Sequence, residues 1–199
     1  MTRIISGTAR GLRLETPRGD RTRPTSDRVR EALFSAIESW AGSLHGLRVL
    51  DLYAGSGAVG LEAWSRGADA VTFVESDRRT ADLIRRNARV VGCDVAQVLA
   101  RSVTAALAGG ADAPYDLVFS DPPYPLDEAA VTDDLALLAA QGWLVTGARV
   151  IVERGSRSPE PAWPAGIRPL PGKRRMKKYG ETRLWYAAAG EERAPEPLR

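Results

Sequence analysis

The 199-residue chain holds one cysteine, Cys93, and one histidine, His45. A single cysteine excludes an internal disulfide, and one Cys with one His leaves no zinc site, so no metal is expected. Cys93 reads as a packed or partly exposed thiol rather than a nucleophile, since His45 is its only possible imidazole partner. No apolar run reaches membrane-spanning length, and the polar, Arg-rich N-terminus has no apolar signal core. A cytoplasmic protein is the expectation. No internal repeat is present. Acids are scarce at two places. Residues 1–30 hold eight Arg against Glu15, Asp20 and Asp27, and residues 154–183 hold nine Lys or Arg against Glu160 and Glu181. Between them, residues 31–153 carry nine Arg against seventeen acids, although the net charge is only +3. An acidic body with two basic ends suits a polyanionic partner such as nucleic acid.

What is present is an alternation of strand and helix patterns. Residues 3–15 read as a small hairpin, with Gly7 and Gly11 bracketing its turn, and the Pro/Gly/Arg-rich residues 16–24 as a loop. So short an arm has too little apolar surface for a core of its own and must dock on the body or order on a partner. A helix capped by Thr25 or Ser26 follows, with Val29, Leu33, Ile37 and Trp40 on one face and Arg28 and Arg30 near its start. Strands are expected at Leu47–Tyr53, Ala70–Glu75, Asp94–Ala100, Tyr115–Ser120 and Ala148–Glu153. Helices are expected near 58–66, after Asp77, near 103–107 and near 128–140. The period predicts an α/β fold of Rossmann-like type, a mostly parallel sheet with helices on both faces. The last strand, from Thr182, makes an antiparallel hairpin with Lys173–Lys178 as its exposed connection. The expected units are a basic arm at 1–24, a main domain at 25–189 and a disordered tail at 190–199.

Three motifs stand at expected strand ends. Gly55-Ser56-Gly57-Ala58-Val59-Gly60 follows a strand and opens a helix, so its backbone can approach a ligand closely. Glu75 ends the next strand, where an acid can accept hydrogen bonds from both ribose hydroxyls. Asp51 lies four residues before Gly55, where its negative charge opposes a pyrophosphate and favours a cofactor bearing an ammonium and a sulfonium. The third motif is Asp121-Pro122-Pro123-Tyr124. Consecutive prolines stop the strand and leave a stiff loop carrying a carboxylate, proline carbonyls and an aromatic ring. In isolation it is equally readable as a strand terminator.

The ordered set Asp51-Leu52-Tyr53-Ala54-Gly55-Ser56-Gly57, Glu75 and Asp121–Tyr124 resembles class I S-adenosylmethionine-dependent methyltransferases. The resemblance implies a seven-stranded sheet with an antiparallel C-terminal hairpin and a small N-terminal β-hairpin extension. It implies that Asp51, Tyr53, Gly55, Ser56, Gly57, Glu75, Ser76, Arg101, Ser102 and Val103 meet the cofactor, the last three near the adenine. The Asp-Pro-Pro-Tyr spelling is similar to enzymes that methylate exocyclic amines of bases. Asp121 and the Pro122 carbonyl would then orient the amine, and Tyr124 would stack on an extruded base. Over nearly all residues up to about 185 the chain resembles the bacterial 16S rRNA guanine-N2 methyltransferases (RsmD type). This rests on Ser6-Gly7, Arg10-Gly11, Arg23 through Glu31, Asp51–Gly60 and Asp121–Tyr124. That likeness implies S-adenosylmethionine as cofactor and 16S rRNA as partner, in a 30S particle or assembly intermediate, handled by a monomer. Arg3, Arg10, Arg13, Arg23, Arg28 and Arg30, with Lys173, Arg174, Arg175 and Lys177, are the candidate RNA contacts. Two other readings stay open: a DNA adenine-N6 or cytosine-N4 methyltransferase, and a nucleic-acid-binding protein with a non-catalytic pocket. An NAD-linked dehydrogenase is the weakest, given Asp51.

Overall fold

In a computed structural model of the chain, residues 2–17 and 27–190 are described. Arg23, the cap at Thr25 or Ser26 and the tail after Gly190 lie outside them. Strands β1 (Thr2–Arg3) and β2 (Arg13–Leu14) pair antiparallel as the expected hairpin. The main sheet runs β3 (Arg48–Leu52), β4 (Ala70–Glu75), β5 (Ala96–Ala100), β6 (Tyr115–Ser120), β7 (Leu144–Gly155), β8 (Ile167–Pro169), β9 (Met176–Tyr179) and β10 (Thr182–Ala189). Its order is β5-β4-β3-β6-β7-β10-β8, with β9 also on β10. Neighbours from β5 to β7 are parallel, and β10 is antiparallel to β7, β8 and β9. The chain lays β4 and β5 on one side of β3 and returns to lay β6 on the other. This order reversal opens a crevice at the strands' carboxyl ends, where α/β sheets bind ligands.

Among the described residues, five helices cover the sheet: α1 (Asp27–Ala41), α2 (Ala58–Ser65), α3 (Arg78–Val91), α4 (Val103–Ala108) and α5 (Glu128–Ala140). Leu33, Phe34 and Ile37 of α1, Leu61 of α2 and Ile84 of α3 pack with Val49, Phe73 and Phe119 on one face. Val103 and Leu107 of α4 and Leu135 and Leu138 of α5 pack with Leu50, Leu52 and Val118 on the other. The two faces alternate along each strand as a period of two demands. Asp77, Ser102 and Asp127 each accept a hydrogen bond from a backbone N–H three residues on, starting α3, α4 and α5.

One expectation changes, and the arm takes the first of its two alternatives. The stretch Lys173–Lys178 is not simply an exposed connection. It forms a short 3-10 turn and most of β9, paired with β10. Lys177 and Lys178, both exposed between partly buried Met176 and Tyr179, hide that strand in a basic run. The arm, moreover, is built into the body. Ile4, Ala9 and Leu14 are buried in the α1–α3 core. The Glu62 carboxylate of α2 accepts from Ile5 N at 2.7 Å and Ser6 N at 2.9 Å. Gly7 is obligatory at this joint: its φ is +82°, and a Cβ would stand 1.7 Å from the Ser65 carbonyl oxygen.

Candidate active site

The glycine loop leaves β3 through Tyr53, whose φ of 59° puts a non-glycine residue in the left-handed region. Its hydroxyl donates to Asp134 of α5, which also accepts from Thr104 Oγ1 at 2.7 Å. Burial and Asp134 hold the phenol above its ordinary pKa. The ring is thus anchored to the far face of the sheet, and the strained backbone turns the loop over the crevice. The glycines divide the remaining work. Gly55 has a φ of +55° and nothing where its Cβ would be, so the loop is open to a ligand there. A Cβ on Gly60 would meet the Phe73 ring at 2.4 Å, so this glycine allows α2 to lie close on β4.

Glu75 bridges the loop and the next turn. Its Oε2 accepts from Gly55 N at 3.0 Å and its Oε1 from Asp77 N at 2.9 Å. Lone pairs remain for hydroxyl donors, as a ribose-holding acid requires. Ser76 and Arg101 are exposed beside it, and Ser102 caps α4. Val103 departs from expectation, because its side chain packs with Leu50 and Val74 in the core and has no free surface to offer a ligand.

Asp51 is buried, 2% exposed, and accepts from Gly60 N at 2.9 Å. Burial pushes its carboxyl up to about 8, and neighbouring Glu75 adds to the rise. It therefore carries its charge only where a cation or a higher pH draws the proton off, a subtler device than the fixed repulsion read from the sequence.

Asp121 follows β6 directly and donates its N–H to Leu52 O at 3.3 Å, which holds the loop against the end of β3. Desolvation raises its carboxyl well above the ordinary range; Glu153 and Asp51 raise it further, and Arg154 opposes them. Pro122 is buried and Tyr124 is 56% exposed. The Tyr124 ring lies over Gly155 at the end of β7, where a Cβ would meet it at 2.7 Å. Arg154 donates to Leu126 O at 3.3 Å and pairs with Glu128, tying down the far side of the same loop.

The sequence reading missed Glu153, Arg154, Asp134 and Asn87. The first two end the strand beside β6, and the strand-end rule could have found them. Asn87 of α3, 1% exposed, donates to both Ser56 O and Glu15 O at 2.9 Å, joining the glycine loop to the arm. Nothing in its local sequence signals this.

Arg3, Arg10, Arg13, Arg28, Lys173, Arg174, Arg175 and Lys177 are all exposed. Arg175 is held by Glu160 in a two-pronged pair. Arg30 is a correction: it is 1% exposed and donates to Thr2 Oγ1, Arg3 O and Asp27 Oδ1. Helical periodicity turns it under the arm, so it secures β1 instead of reaching a ligand.

A family model described as "Conserved hypothetical protein 95" matches residues 2–188. The ribosomal RNA small subunit methyltransferase D of Haemophilus influenzae is 36% identical over 160 residues, covering 79% of this chain and 80% of that protein. The protein of the same name from Escherichia coli is 37% identical over 171 residues, covering 82% and 79%. Among solved structures, a putative methyltransferase, YhhF, from Escherichia coli superposes with a TM-score of 0.81 at 32% identity, covering 94% of this chain and 97% of that one. A magnesium protoporphyrin IX methyltransferase from Synechocystis with bound S-adenosylmethionine shares the fold, with a TM-score of 0.61 at 14% identity, covering 82% and 79%.

Proposed function

The chain belongs to this family, that of the RsmD-type methyltransferases, and from that membership we propose that it methylates the exocyclic N2 of a guanine in 16S rRNA of the small ribosomal subunit. S-adenosylmethionine is the donor. One observation carries the reading: the crevice at the order reversal joins an open glycine loop, a ribose-competent acid and Asp121-Pro122-Pro123-Tyr124, under a concentration of carboxylates that favours a cation.

The residues present fit that cofactor. Gly55 leaves room for it, Glu75 keeps acceptor capacity for two hydroxyls, and Asp51 is a carboxyl whose ionisation a positive ligand would stabilise. When bound it supplies a methyl group on a cationic sulfur. The chain's own part is to present the nucleophile. A base amine is a poor one, because its lone pair is delocalised into the ring. Asp121 accepts a hydrogen bond from the amine, and its raised proton affinity makes it the better acceptor for the proton that nitrogen sheds. The Pro122 carbonyl takes the second N–H, and Tyr124 stacks on the base. Positioning and desolvation carry the acceleration. The arm and the basic 173–177 run hold the RNA through Arg3, Arg10, Arg13, Arg23, Arg28, Lys173, Arg174, Arg175 and Lys177.

The test is incubation of the protein and labelled cofactor with unmodified 30S particles, naked 16S rRNA and duplex DNA, followed by mass spectrometry of the nucleosides. N2-methylguanosine in the RNA is expected. Label found only in DNA, or on another nucleoside, overturns the assignment.

A further inference from the structure

The α1 face of the sheet carries a cleft of about 380 Å³ that the chemistry above does not use. Its walls include Ser39 and Trp40 of α1, Arg149 of β7, Arg174 in the turn before β9, Lys177 of β9 and Tyr186 of β10. Strand register assembles them. Tyr186 stands opposite Ile151, Arg149 is two residues back along β7, and Lys177 stands opposite Leu184, two residues from Tyr186. Steps of two keep all of these side chains on one face of the sheet.

Among the described residues, three cations and no Asp or Glu line the cleft. The Arg149 guanidinium carbon lies 4.9 Å from the centroid of the Trp40 ring, a stacking that fixes both. Tyr186 is 4% exposed, and its hydroxyl finds no hydrogen-bond partner. An unsatisfied buried hydroxyl is costly, and a bound acceptor would relieve it. The volume lies within the range of small-ligand sites and exceeds what a bare inorganic anion fills. Cations, an aromatic ring and a hydroxyl donor together suit a phosphate joined to a planar base.

Position narrows the choice further. Lys177 pairs with Leu184, Leu184 with Glu153, and Glu153 is one residue past the Ser120–Val152 pair, level with Asp121. Three strand spacings separate Lys177 from Asp121, about 14 Å. We propose that this cleft seats a nucleotide of the same RNA strand that presents the target base, its phosphate against Arg174 and Lys177. The proposal rests on the RNA-methylating reading above.

The test follows the Trp40 indole N–H by NMR in the full chain, identified by its loss in Trp40→Phe, while a short single-stranded oligoribonucleotide, guanosine monophosphate or inorganic phosphate is added. Methylation of 30S particles is measured in parallel. The oligonucleotide is expected to move the Trp40 signal. Arg174→Glu and Lys177→Glu should each weaken it by about ten-fold and raise KM for the particle, with kcat within about two-fold. Lys178→Glu makes the same charge change on the same strand toward the opposite face, and should cost less than about three-fold. An unmoved Trp40 signal while particles are methylated overturns the proposal. So does equal loss in Lys178→Glu and Lys177→Glu, or tighter binding of free phosphate or mononucleotide than of the oligonucleotide. Particles left unmethylated while the oligonucleotide still engages Trp40 would sink the reaction assigned above and leave the RNA seat standing.

Discussion

Asp121 combines two pressures that oppose each other: it must be ionised to take the proton the amine sheds, yet burial, Glu153 and Asp51 all favour its own proton. Arg154 is the cation acting in the other direction, and its Nε and Nη1 atoms are buried without partners. Asp121→Ala is expected to abolish methyl transfer while cofactor affinity stays within about three-fold, since its role is on the amine side; equal loss of both would contradict that role. Arg154→Met should move the acid limb of the rate profile to higher pH, because removing the cation raises Asp121 further. Arg154→Lys, which keeps the charge, should leave the limb in place even if the loop loosens. Movement of the limb in both variants would mean that geometry, not charge, sets it. Asp51 supplies a separate pH dependence. Its carboxyl is raised to about 8 in the free protein, so a cationic ligand binds the ionised form better, and affinity should climb as pH rises towards 8. The sign for stability is opposite. A raised acid holds its proton in the folded state while the unfolded chain has lost it, so its contribution to stability declines between the ordinary carboxylate range and about 8. Calorimetric titration of the cofactor across that window checks the first claim and thermal unfolding across it checks the second, with Asp51→Asn as the flat control for both.

At the scale of elements, the N-terminal hairpin is the informative case. Burying Ile4 and Leu14 contributes about 2 kcal/mol apiece, and the arm's backbone satisfies the buried Glu62 and Arg30. Removing it would strip partners from both charges, so truncation tests folding before it tests recognition. Gly7→Ala is the cleaner probe. The positive φ costs about 1–3 kcal/mol and the new Cβ collides with Ser65, so a fall in Tm of about 3–10 °C and faster proteolysis ahead of α1 are expected. An unchanged Tm would mean the arm is held elsewhere. Apolar runs made β4 and β6 legible to their ends, and the strand-end motifs were legible because glycine, proline and acid at fixed offsets leave few alternatives. The arm was readable as a hairpin that docks on the body or orders on a partner, but its contacts were not, because Glu62, Ser65 and Asn87 stand 56 to 72 residues away in α2 and α3. β9 was missed for another reason: its adjacent exposed Lys177 and Lys178 sit between partly buried Met176 and Tyr179, which reads as charge before it reads as a strand.

For the whole molecule, folding turns a segregation along the chain into one across the sheet. Residues 102–148 contain seven Asp or Glu and no Lys or Arg, and they supply α4 and α5 on one face. The arm and the Arg174–Lys177 cleft both lie on the opposite face, with α1, α2 and α3. A polyanion is therefore drawn to the α1–α3 face and repelled from the other, which orients an RNA before any specific contact forms. This makes a quantitative demand on salt dependence. Arg10→Ala with Arg13→Ala removes two exposed cations from the attracting face without touching the buried arm contacts. The plot of log affinity for RNA against log salt should lose about 1.4–1.8 from its slope if both charges meet phosphates. Asp133→Ala on the exposed side of α5 changes charge on the repelling face and should leave the slope unchanged. Equal effects from the two faces would show that net charge alone governs binding, and the oriented approach would be wrong.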